Sequence, residues 1–128
     1  MDHGHPRTEY PFFLGFGDEC GVGEGLGYNC NYPLPAGSDV STWFDALDQA
    51  LSKIRGFAPD ALVVSLGVDA FKGDPISRFA LESPDFSRLG ERLGQLGLPT
   101  LFCLEGGYAV EPIGVNAVNV LSAFESVT

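Results

Sequence analysis

Two short apolar runs constrain this chain more than anything else in it. Residues 61–67 read ALVVSLG and residues 100–107 read TLFCLEGG, and neither carries a charge before Glu105. Each has the length of one strand, and the continuous rather than alternating apolar pattern is that of a strand covered on both faces. Between them Phe86, Leu89, Leu93 and Leu96 fall at helical spacing, with Ser83 as cap, Pro84 in the first turn and Gly97 just beyond. Strand, helix and strand in that order predict a right-handed crossover and a parallel sheet, hence an α/β fold.

The flanking segments extend this pattern. Phe44, Leu47, Leu51 and Ile54 predict a helix that starts at Asp39 or Ser41 and is closed by Gly56, and Ile113, Ala117, Val120, Leu121 and Phe124 predict a last one. Residues 1–38 are rich in glycine, contain Pro6, Pro11, Pro33 and Pro35, and read as loop apart from a short extended run at residues 28–34. The glycines of residues 21–27 (GVGEGLG) lack the spacing of a dinucleotide-binding turn, and no strand leads into them. Residues 1–128 are therefore expected to form one domain, a loop region over 1–38 and a βαβ-type core over 39–128. Three strands as apolar as these would leave hydrophobic edges and faces open, so the sheet is expected to be part of a larger fold.

Charge narrows the function. Seventeen acidic against seven basic side chains give a formal charge of −10, which repels phosphate backbones and anionic lipid. Neither nucleic acid nor a membrane surface is expected as partner, whereas a cationic small molecule such as an amine would be welcome. Cys20, Cys30 and Cys103 are an odd number without a CxxC spacing, no charged-then-apolar leader precedes them, and no apolar run has the length of a membrane span. These features predict a cytoplasmic protein with reduced thiols.

In open parallel sheets ligands bind beyond the carboxyl ends of the strands. Asp69 and Asp74 follow the first apolar run, and Glu105-Gly106-Gly107-Tyr108 closes the second, so adjacent parallel strands would bring both groups to one rim. A carboxylate there can bind a divalent metal, and a tyrosine opposite can hydrogen-bond a polarised carbonyl. Asp-Pro after a strand is also an ordinary turn signal, and Tyr108 on Gly106-Gly107 reads equally as a rim aromatic on a helix-entry turn.

The segments YNCNYPLPAGSD, PDALVVSLGVDAFKGDPISRF and LFCLEGGY, preceded by HGHPRTEYPFFLGFGDE, resemble the C-terminal portion of the histone deacetylase superfamily, and within it the acetylpolyamine amidohydrolases. The resemblance implies part of a three-layer α/β/α arginase/deacetylase-type fold. It implies a zinc-dependent hydrolase that removes acyl groups from amines and can also cleave esters. By that resemblance Asp69 matches a zinc ligand, Tyr108 the tyrosine that stabilises the oxyanion, Gly106 and Gly107 the glycines that let the tyrosine loop approach substrate, and Asp74 a turn without a direct catalytic role.

The family's Asp-x-His ligand pair and its His-His general base and acid do not occur in these 128 residues. One aspartate cannot hold zinc, since catalytic zinc sites use three protein ligands and a water. His3 and His5 are the chain's only histidines and are the candidates for a rebuilt site with Asp69. Three readings follow: a truncated deacetylase-type hydrolase, weak alone; a small oligomeric esterase with a site rebuilt from Asp69, Tyr108, His3 and His5; or a non-catalytic interaction module. All three predict a partner, either a second copy of the chain or a complementary N-terminal half.

Overall fold

The computed structural model describes residues 14–128. Among these residues a 3-10 turn at Gly23–Gly25 precedes helix α1 (Val40–Phe57), strand β1 (Leu62–Leu66), helix α2 (Ser83–Gly94), strand β2 (Thr100–Leu104) and helix α3 (Val110–Val127). No helix among these residues is long and apolar enough to cross a membrane.

Local chemistry sets the helix ends. Asp39 stands in extended backbone before α1 and its carboxylate accepts the Thr42 N–H at 2.8 Å. Gly56 does not close this helix. The chain stays helical to Phe57 and stops at Ala58, whose left-handed φ of 53° ends the turn while its N–H still reaches the Ile54 and Arg55 carbonyls. Pro59 comes next, and a following proline disfavours right-handed helix at the residue before it. In α2 the cap is Glu82 rather than Ser83, because Asp85 returns its carboxylate to the Glu82 N–H at 2.9 Å. Gly97 lies beyond that helix at a φ of 66°, a conformation glycine adopts freely.

Strands β1 and β2 pair in parallel, Leu62 opposite Thr100 through Leu66 opposite Leu104, with α2 as the crossover. The extended run at residues 28–34 adds no third strand. Its asparagine side chains tie it to the preceding loop instead: the Asn29 and Asn31 amides donate to the Glu19 and Phe16 carbonyls, and Asn31 also donates to the Glu19 carboxylate.

One core joins the layers. Leu51 of α1, Leu66 and Val68, Leu81, Phe86, Leu89 and Leu93 of α2, and Val120 of α3 are buried together, with Leu62, Val64 and Phe102 packed against them. Helices α2 and α3 meet closely at Gly90 and Gly94, which lie against the backbone of Val120 and Phe124. Helix α1 docks on α2 through Phe44, whose ring lies under the Arg88 and Arg92 guanidinium groups, while Asp48 accepts from Arg92 at 2.9 Å. The open apolar face expected of a sheet that is part of a larger fold is present: Val63 and Leu101 on it are 65% and 59% exposed. Core-facing residues of all three helices enter the one core, whereas Val115, Val118 and Leu121 of α3 are exposed as well.

Candidate functional site at the carboxyl rim of the sheet

The two loops expected at one rim do meet there. Backbone pairing continues past the strand ends, with the Glu105 N–H donating to the Leu66 carbonyl at 2.9 Å and the Val68 N–H to the Gly106 carbonyl at 2.8 Å. On the far side of the first loop, Leu81 and Ala70 pair at 3.2 Å and Lys72 and Leu81 at 2.8 Å, and the Leu81 side chain is fully buried. Residues 68–72 are thus tied on both sides.

Asp69 is half-buried in this setting, and its carboxylate occupies space that only glycines leave open. A Cβ on Gly67 would lie 2.8 Å from its Oδ1, and one on Gly106 would collide with Oδ2 and lie 2.8 Å from Cγ. Burial pushes the Asp69 carboxyl above the usual aspartate range, and the nearby charge of Asp74 pushes the same way. A carboxylate so placed favours a proton or a cation beside it.

Asp74 differs. It is 7% exposed, and both of its oxygens are engaged: Oδ1 accepts the Ile76 and Ser77 N–H groups at 2.9 and 3.3 Å, and Oδ2 accepts the Tyr108 N–H at 2.8 Å. Burial alone would raise its pKa, but these backbone N–H bonds, with that of Ala109, outweigh it and hold the group below the usual range. Its lone pairs are spent on backbone, so Asp74 is unsuited to bind a metal. Reading it only as a local turn misses the bond to Tyr108, 34 residues away. Gly-Asp-Pro in the sequence signals the Ile76 and Ser77 bonds; nothing local signals the third.

Tyr108 is 50% exposed, with its backbone N–H anchored on Asp74. Gly107 before it has a φ of 142°, and a Cβ there would lie 2.6 Å from the Val68 side chain. Glycine is required on both counts, conformation and space. His3 and His5 lie outside the described residues.

The donor set does not fit a zinc ion by itself. Among the described residues no three His, Cys, Asp or Glu side chains come together as a metal cage. Asp69 has the character of one ligand and Asp74 is engaged elsewhere, so further ligands would have to come from beyond these residues. A concavity of about 670 Å³ lies between residues 27–32 and α1, where Lys53 donates to Cys30 at 3.1 Å. The rim instead carries the Asp69 carboxylate and, on the neighbouring loop, Tyr108. The three cysteines are unpaired and exposed.

One substitution tests the seat of Asp69. Gly106→Ala is expected to shift the Asp69 side-chain carboxyl ¹³C resonance and its titration while lowering stability by about 1 kcal/mol, because a carboxylate can swing away from the new methyl group. An unmoved Asp69 resonance would show that the carboxylate does not sit against Gly106.

Comparison with known proteins shows the family and the fold. The histone deacetylase domain family matches over residues 2–124. Acetylpolyamine amidohydrolase 2 of Pseudomonas aeruginosa is 65% identical over 125 residues, which cover 98% of this chain and 36% of that protein. The acetylpolyamine amidohydrolase of Burkholderia pseudomallei is 48% identical over 122 residues, 95% of this chain and 36% of that one. The crystal structure of the Burkholderia pseudomallei acetylpolyamine aminohydrolase superposes with a TM-score of 0.93 at 47% identity, over 98% of this chain and 36% of that chain. The structure of the histone deacetylase Clr3 superposes with a TM-score of 0.86 at 29% identity, over 98% and 22%. The chain spans about a third of the length of the acetylpolyamine amidohydrolases it matches, so its two strands and three helices are part of an α/β fold.

Proposed function

Because the chain belongs to the histone deacetylase domain family, we propose that it supplies the tyrosine-bearing, C-terminal part of a hydrolase that removes acyl groups from amines. The observation that carries this reading is the interlaced rim, where Asp69 sits in its glycine seat and Tyr108 hangs from a buried carboxylate on the neighbouring loop. The reaction consumes water and an N-acyl amine and yields a carboxylic acid and the free amine. As water adds to the acyl carbon, its carbonyl oxygen gains negative charge, and the Tyr108 hydroxyl is the donor this reading assigns to it. Asp69 is one anionic ligand toward a zinc ion; the other ligands and the general base are not among the described residues.

Those groups would come from the rest of a deacetylase domain, and the bare sheet face with Val63 and Leu101 is where it would dock. A chain of charge −10 favours a cationic amine, so N-acetylated polyamines are the first substrates to try and aryl esters the second. The test supplies the other two thirds of such a domain, taken from a relative, either fused to this chain or mixed with it. Acetate release from an N-acetylated polyamine is expected for the assembled protein with one zinc per site, and is expected to be weak for this chain alone. Activity that survives Asp69→Ala would mean that the rim is not the site, and an assembled protein without zinc or turnover would end the hydrolase reading.

A further inference from the structure

Asp74 has a role beyond its turn. We infer that its carboxylate is the positioning residue for Tyr108, tying the tyrosine loop after β2 to the aspartate loop after β1; as a statement about catalysis this rests on the hydrolase reading above. The geometry is specific. One oxygen takes the Ile76 and Ser77 N–H groups of its own loop, and the other takes the Tyr108 N–H across the rim at 2.8 Å. At 7% exposure the carboxylate has little water to exchange for these partners.

The strand-to-strand ladder does not do this work unaided. Its last bond on this side is that between Val68 and Gly106, and the chain then passes through Gly107 at a φ of 142° before Tyr108. A glycine in that region has many alternatives in a flexible loop, so the bond to Asp74 is what fixes the residue that follows it. The side chain starts two bonds from this anchor, and an error of an ångström in a reacting group can lower a rate by about 10²-fold.

Asparagine at position 74 keeps the shape and loses the function. Its amide offers one oxygen, so whichever way it turns, an NH₂ group faces a backbone N–H that the second carboxylate oxygen had satisfied. In the assembled enzyme Asp74→Asn is expected to lower kcat by about tenfold or more with KM little changed. The same change in a Tyr108→Phe background should have little further effect, because Asp74 acts through the Tyr108 hydroxyl. A structural role alone would give two independent, multiplying losses, and that result would overturn the assignment.

A second measurement needs no turnover. In the 128-residue chain the Tyr108 amide is expected to be protected from exchange and to show a trans-hydrogen-bond coupling to the Asp74 side-chain carboxyl carbon. In Asp74→Asn that amide should exchange about tenfold faster, while amides of the buried Val120 segment stay protected and report that the fold is intact. If the variant does not fold, the wild-type coupling still decides. Its absence would overturn the clamp whatever the activity, whereas its presence with no turnover in any assembled form would overturn the hydrolase reading and leave the clamp standing.

Discussion

Gly90→Ala is expected to lower the stability of the chain by about 2 kcal/mol or more, seen as a fall in the urea midpoint. The sign is a contest between two effects. Alanine is favoured over glycine inside a helix by about 1 kcal/mol, and Gly90 lies in the middle of α2. Against that, a Cβ at this position would collide with the Val120 carbonyl oxygen and lie 2.9 Å from its carbonyl carbon and 3.0 Å from its Cα. These are backbone atoms of α3, so no rotamer change relieves the clash and the two helices must part. Parting them opens the core around Phe86 and Val120, both fully buried. Gly114→Ala is the control: a Cβ there meets nothing within 4 Å, so the helix term should stand alone and raise stability by up to about 1 kcal/mol. A Gly90→Ala midpoint above wild type would mean that α2 and α3 do not pack as closely as their glycines allow.

Helix and strand positions were legible in the sequence because each depends on nearby residues. The apolar runs at 61–67 and 100–107 contain β1 and β2, and the helical spacings of Phe44, Phe86 and Val120 with their neighbours place α1, α2 and α3. Ends were less legible, since they turn on single bonds: Asp85 to the Glu82 N–H moves a cap by one residue, and Ala58 before Pro59 ends a helix that Gly56 does not. The run at 28–34 looked extended from its composition, yet its asparagines bond back to the segment at 16–19. The open sheet face was legible too, because strands this apolar are built to be touched on both faces and the described helices reach one, leaving Val63 and Leu101 exposed. At the rim, the sequence placed Asp69 and Tyr108 together through strand order. The glycine seat and the Asp74 clamp depend on how two loops interleave, which no local pattern encodes.

Tyr108→Phe removes one oxygen atom and is expected to lower kcat of the assembled enzyme by about 10²–10³-fold, the usual loss for one donor to a developing oxyanion. KM should stay near its starting value, because the bond strengthens as charge forms on the acyl oxygen and contributes little to the bound ground state. Stability should change by less than about 0.5 kcal/mol, since the side chain is 50% exposed and its anchor is the backbone N–H, which phenylalanine keeps. That combination separates the two readings of this residue. A rim aromatic that only lines the substrate path would tolerate phenylalanine, with any loss confined to KM. The contrast with Asp69→Ala sharpens the test: loss of a ligand should remove bound metal as well as turnover, whereas Tyr108→Phe should leave metal content as it was. If Tyr108→Phe keeps full kcat, another group supplies the donor and the tyrosine on its glycine turn is structural.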